Sequence, residues 1–284
     1  MKDWKVQYVD LSIQFKNLEK ELTEVFKRVM SGADFILRDD VEKFEENIAS
    51  YLGVKHVIGV NSGTDALFLA LRAAGIGEND EVITVAHTFV ASLASIVHNR
   101  AKPILVDIKE DFNIDVDKIE EAITKRTRAI MPVHLNGRAC NMDKLMQIAE
   151  KHNLLIIEDA AQALGSAYRG RKVGSFGIAG CFSAHPIKTL SCAGDGGFIS
   201  TNNDEIAEKC RLLRDHGQKT KRDYVCFGYN SRLDNLQAAI LNVKFKYLED
   251  WIKKRREIAK IYSEKLADLP LILPPAPSDG DYFD

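Results

Sequence analysis

Short apolar runs recur along the chain, and stretches with apolar residues at every third or fourth position lie between them. The runs are HVIGV from His56, EVITV from Glu81, PILVDI from Pro103, RAIMPVHL from Arg128, LLIIEDA from Leu154, IAGCFSA from Ile178 and GGFIST from Gly196. Their lengths and polar borders read as buried strands. DALFLALRAAG, FVASLASIVHN, VDKIEEAIT and MDKLMQIAEKH carry the helical spacing between the earlier runs, and DEIAEKCRLLRDHG continues it after the last. Ahead of them, VEKFEENIASYLG reads as a helix closed by Gly53, because glycine accepts the left-handed conformation that ends a helix. From Leu233 the spacing predicts one long helix running through LDNLQAAILNVKFKYLEDWIKKRREIAKIYSEKLADL, with KKRR on its solvated face. The alternation predicts an α/β domain built on a mostly parallel seven-stranded sheet flanked by helices. A large domain over residues 1–235, including an N-terminal helical segment, is expected, followed by a connecting helix over 236–284.

Composition narrows the function classes. A 45% hydrophobic fraction over 284 residues is ample for a sizeable core. With 39 basic against 41 acidic residues the net charge is −2, so the chain carries no excess that would point to nucleic acid or an anionic membrane. Five cysteines (Cys140, Cys181, Cys192, Cys210 and Cys226) lack metal-ligand spacing and read as reduced thiols of a cytosolic protein. The N-terminus, MKDWKVQYVDLSIQFKNLEKEL, is too polar for a signal peptide, and no apolar run is long enough to span a bilayer. The expectation is a soluble cytoplasmic protein.

Three strand ends carry candidate chemistry. After HVIGV, the segment Asn61–Ser62–Gly63–Thr64 leads into a helix at about Asp65, and a helix start with hydroxyls and a glycine makes a ready anion seat. An ordinary N-cap is the structural alternative. No P-loop lysine follows, and no G-x-G-x-x-G follows the first strand. LLIIEDAAQALG ends on Glu158 and Asp159, of which strand alternation sends one toward a ligand crevice; an internal ion pair is the alternative. Lys188 sits in FSAHPIKTLSCAGDGG, among small residues and beside Ser183. A desolvated lysine is a nucleophile toward aldehydes, whereas a plain loop lysine needs no such setting. A phosphate seat, a carboxylate for a pyridinium nitrogen and an amine for an aldehyde are together the anchors of pyridoxal 5'-phosphate. Phe89, in HTFVAS, is placed to stack on its ring, with core packing as the alternative.

In order along the chain, NSGTDAL, DEVIT, HTFVAS, PILVDI, PVHLNG, IIEDAAQALG, GRKVGSFG, HPIK, GDGG, RDHGQ and GYNSRLDNLQAAIL resemble the DegT/StrS family of pyridoxal-phosphate-dependent sugar aminotransferases, from about Tyr8 to the last residues. The resemblance implies the type I fold of aspartate aminotransferase. It places the lysine that joins the cofactor as a Schiff base at Lys188 and the ring-nitrogen partner at Asp159. Gln162 falls near the ring hydroxyl, Gly63, Thr64 and Ser183 at the phosphate, and Phe89 on the ring. Asn230 of GYN would reach the phosphate of the neighbouring subunit's cofactor, which implies a homodimer with shared sites. The implied reaction moves an amino group from an amino acid, usually glutamate, to a keto nucleotide-sugar, in amino-sugar biosynthesis for a cell-surface polysaccharide or a glycosylated metabolite. Arg138, Cys140 and Ala184 depart from the family's more frequent residues, and His185 is read as packing rather than facing a sugar. Relatives continue into a small C-terminal domain, of which PLILPPAPSDGDYFD would be only the incomplete start. Two alternatives are a truncated or regulatory cofactor-binding protein without turnover and a related dehydratase. Lys188 argues against the dehydratase, whose relatives carry histidine there.

Overall fold

All seven apolar runs become strands of one sheet in a computed structural model, which describes residues 9–277 and Asp281. The readings placed on residues 1–8, Tyr8 included, and on 278–280 and 282–284 lie outside the described residues. In chain order the elements are α1 (Ser12–Gly32), α2 (Asp39–Leu52), β1 (His56–Val60), α3 (Gly63–Ala73), β2 (Glu81–Val85), α4 (Val90–His98), β3 (Lys102–Val106), α5 (Ile119–Ala122), β4 (Thr127–Ile130), α6 (Met142–His152) and β5 (Leu155–Asp159). Two short strands, β6 (Ala167–Tyr168) and β7 (Arg171–Lys172), form a hairpin before β8 (Ala179–Ser183), β9 (Gly197–Thr201) and α7 (Asp204–Arg214). A second hairpin, β10 (Gln218–Thr220) with β11 (Asp223–Tyr224), precedes α8 (Asn235–Phe245) and α9 (Leu248–Leu266).

The sheet order is β1-β9-β8-β5-β4-β2-β3, and all neighbours are parallel except β9, which runs against both β1 and β8. Strands covered on both faces must be apolar throughout, which is why these read as unbroken apolar runs. Successive residues then serve opposite layers. Ile58, Cys181 and Ile199 pack under α3 and α7, while Val57, Phe182 and Phe198 pack with Phe44 of α2 and Leu241 of α8. Phe182 stacks on Phe198 with ring centroids 4.6 Å apart. α2 ends as the sequence indicates, with Gly53 left-handed at φ 68°. All five cysteines are unpaired; Cys226 is exposed and the others are buried.

Three expectations change. The long helix from Leu233 is two helices: at the break the Tyr247 amide bonds the Lys244 carbonyl at 3.0 Å, and the Tyr247 hydroxyl donates to Glu21 of α1. A tertiary partner there overrides a continuous helical pattern, and Leu248 and Ile252 still reach the core. VDKIEEAIT forms a 3-10 turn at Val116–Lys118 and the four-residue α5 rather than a regular helix. α3 begins at Gly63, two residues before the expected start. No helix among the described residues is long and apolar enough to cross a membrane.

Candidate active site

The C-terminal ends of β1, β5 and β8 share one edge of the sheet, and the register there is tight. Gly197 pairs with both Ser183 and Val60. A Cβ on Gly63 would lie 2.7 Å from the Cβ of Ser183, and one on Gly197 would lie 2.4 Å from the Ser62 carbonyl carbon. Only glycines let the β8 end press against the start of α3 in this way. Ser62 caps that helix by accepting from the Asp65 amide at 3.0 Å. The first-turn amides of Gly63 and Thr64 have no intrahelical acceptor, and a Cβ on Gly63 would lie 3.3 Å from the Ser183 hydroxyl oxygen, so these donors together suit a phosphate.

Of the two β5 carboxylates, each has a separate role, as strand alternation requires. Glu158 is fully buried and entirely structural: its Oε2 accepts from the Gly174 amide (2.7 Å) and faces His134 Nε2 (3.1 Å), while Oε1 accepts from the Phe176 and Gly177 amides (both 2.8 Å). His134 Nδ1 accepts from the Cys140 amide, which makes its Nε2 the donor to Glu158. Asp159 faces the site edge. Its Oδ2 accepts from the Ser92 hydroxyl at 2.6 Å and its Oδ1 from the Ala161 amide at 3.2 Å. Burial raises the Asp159 pKa, against the pull of these hydrogen bonds and of Lys188. No cation lies in hydrogen-bond contact with Asp159 among the described residues, so a basic ring nitrogen would complete it.

Lys188 lies on the loop between β8 and β9, half-buried, with its amide on the His185 carbonyl at 2.8 Å. Burial lowers its pKa, and the negative charge of Asp159 partly offsets this. Phe89 stands 70% exposed at the mouth of α4, which excludes core packing and leaves a ring face open for stacking. Its carbonyl accepts from the Ser92 amide at 3.1 Å, so one helical turn joins Phe89 to the Asp159 partner. Gln162 accepts from the Asn136 amide at 2.8 Å, and this turn of PVHLNG continues to Arg138 and buried Cys140. His185 is exposed, not packed; its ring Nδ1 accepts from the Ile187 amide because a tight turn leaves it no core to enter. Asn230 is exposed after the β10–β11 hairpin and shares no hydrogen bond with the other candidates; its neighbour Ser231 accepts from the Asn61 amide at 3.2 Å. Sequence reasoning missed Ser92 and His134 as individual residues. Ser92 had a signal, since it follows Phe89 by three positions at a helix start.

Anion donors, a buried carboxylate without a counter-charge, a desolvated amine and an open aromatic face all fit pyridoxal phosphate. Fold and site together define a type I α/β enzyme built for that cofactor. The chain belongs to the DegT/DnrJ/EryC1/StrS aminotransferase family, whose model matches residues 16–282, and the family depends on pyridoxal phosphate. It is 48% identical over 280 residues to the pleiotropic regulatory protein of Geobacillus stearothermophilus, covering 98% of this chain and 75% of that one. Similarity to the dTDP-3-amino-3,4,6-trideoxy-alpha-D-glucose transaminase of Streptomyces venezuelae is 42% identity, covering 98% of this chain and 74% of that one. The crystal structure of NtdA from Bacillus subtilis with bound cofactor PMP superposes with a TM-score of 0.89 at 36% identity, covering 95% of this chain and 62% of that one.

Proposed function

We propose that the chain transfers an amino group from an amino acid, glutamate being the expected donor, to a keto nucleotide-sugar. One observation carries the reading: Asp159 is buried at the C-terminal end of β5 with no cation in hydrogen-bond contact among the described residues, on the sheet edge that β8, which leads into the Lys188 loop, shares with the start of α3. Similar chains named as dTDP-sugar and UDP-sugar aminotransferases support the substrate class. Pyridoxal phosphate bound here supplies an aldehyde and an electron-accepting ring. Gly63, Thr64 and Ser183 would hold its phosphate, Phe89 its face and Gln162 its ring hydroxyl. Asp159 would keep a proton on its ring nitrogen. Lys188 Nζ would hold the cofactor through its aldehyde and, once its amine is free, would move a proton between the donor's α-carbon and the cofactor's aldehyde carbon.

A homodimer is part of the proposal. The β10–β11 arm leaves Tyr224 largely and Phe227 fully exposed, which suits a contact with a second copy, and the exposed Asn230 that follows would reach that copy's phosphate. We also assign residues 1–235 to the cofactor-binding unit and 236–284 to the connection, with α8 docked on α1 and α2. A second reading, a cofactor-binding regulator without turnover, is favoured by the similarity to the pleiotropic regulatory protein of Geobacillus stearothermophilus. The visible spectrum with added cofactor, before and after glutamate, decides between them. A yellow band that glutamate bleaches in the wild type supports transamination. A band that no amino acid changes supports the regulator, and no band defeats both.

A further inference from the structure

Lys188 rides on a loop, residues 184–196, that is buried along Leu190–Cys192 and exposed on its outer side at Ala193–Asp195. That side borders an apolar groove of about 440 Å3 toward Phe15 and Phe26 of α1. Its two limbs meet near the sheet, where the Ala184 amide bonds Gly196 and the Cys192 amide bonds Ala184, both at 2.8 Å. Beyond that, and the packing of Leu190 and Cys192 in the core, the hydrogen bonds that hold it come from α8. Gln237 Oε1 accepts from the Ala193 amide at 2.8 Å and its Nε2 donates to the Ala193 carbonyl at 3.1 Å. Two turns further along the helix, Lys244 Nζ donates to the Ser191 carbonyl at 2.8 Å and to its hydroxyl at 3.2 Å. Residues seven apart share a helix face, so both grip the same limb. Lys244 is 7% exposed and burial depresses its pKa, so an amine kept there needs a purpose beyond solvation. Gly194, at φ +139°, lies where a side chain would crowd Gln237 Nε2 at 3.3 Å.

We propose that Gln237 and Lys244 are positioning residues for Lys188: they clamp residues 191–193 so that the lysine amine stays on the Asp159 side of the sheet edge. This rests on Lys188 being the reacting amine. Reacting groups must be held close to their productive geometry, and displacement by an ångström can cost about a hundredfold in rate.

The test uses the full chain as wild type, Gln237→Ala, Gln237→Glu and Lys244→Met. Hydrogen exchange without cofactor is read on peptides covering 189–197, with β5 peptides as control. Losing a hydrogen-bonded pair should speed loop exchange about tenfold in Gln237→Ala, with β5 unchanged. Gln237→Glu keeps the acceptor for the Ala193 amide but sets its second oxygen against the Ala193 carbonyl, so it should restore only part of the protection. Lys244→Met removes the amine but keeps the volume, so folding is retained. With pyridoxal phosphate, the glutamate half-reaction should slow about tenfold in Gln237→Ala and Lys244→Met, at unchanged KM for glutamate. Wild-type loop exchange and wild-type rates in both variants overturn the clamp. A wild type that forms no visible band with the cofactor instead overturns the reading beneath it.

Discussion

Replacing Glu158 by glutamine is a sharp test of the buried framework behind the site. The carboxylate accepts from three backbone amides and from His134, two donors on each oxygen. A glutamine has one oxygen and one NH2 group, so two of the four donors must face another donor. If the NH2 replaces Oε1, the Phe176 and Gly177 amides are stranded. If it replaces Oε2, the Gly174 amide is stranded, and His134 can accept only by moving its proton to Nδ1, which strands the Cys140 amide instead. Either way two buried donors lose their partners, at about 1–3 kcal/mol each, or about 2–6 kcal/mol in total. That is a large share of the roughly 5–15 kcal/mol that holds an ordinary domain. Urea unfolding followed by circular dichroism reads the loss as a lower midpoint. Glu120→Gln, at an exposed cluster with Lys151 and His152, is the control and should leave the midpoint close to the wild type's. A Glu158→Gln chain within about 1 kcal/mol of the wild type would refute the structural role.

Asp159→Asn should do the opposite to stability while removing activity. The folded-state pKa of Asp159 is raised by burial, so without cofactor the ionised group opposes folding. That cost grows as pH rises from the ordinary carboxylate value toward the raised one and is constant above it. The variant should therefore melt higher than the wild type at pH 7.5, with the difference shrinking at acid pH, and lose about a hundredfold or more in half-reaction rate. Equal melting at both pH values in cofactor-free protein would contradict the burial argument. Phe89→Ala should weaken cofactor binding about tenfold by fluorescence titration, yet shift the unfolding free energy by less than about 0.5 kcal/mol because the ring is exposed. A large loss of stability would return Phe89 to the core.

Much of this was legible in the sequence because the physics was local. Each parallel strand announced itself as an apolar run, and Gly53 and MDKLMQIAEKH carried their own boundary signals. The site residues lie at strand ends, where the pattern breaks into small and polar residues. The antiparallel return of β9 has a cause in the same text: the segment around Lys188 has no helical period, and a parallel return needs a crossover of about a dozen residues or more, usually a helix. What stayed hidden depends on partners distant in the chain. Tyr247 breaks a good helical pattern because Glu21 is in reach, and Ser92 matters only once β5 brings Asp159 beside it. The two small hairpins are too short for any period to show. Packing was wrongly expected of His185 because nothing local distinguishes an exposed turn from a covered one.

The central claim, that Lys188 is the amine that holds the cofactor, can be read directly. Full-length protein is mixed with pyridoxal phosphate, reduced with borohydride and digested, and the modified peptide is mapped by mass spectrometry. The account predicts a single stoichiometric phosphopyridoxyl group on Lys188. Label on other lysines with Lys188 unmodified would contradict it.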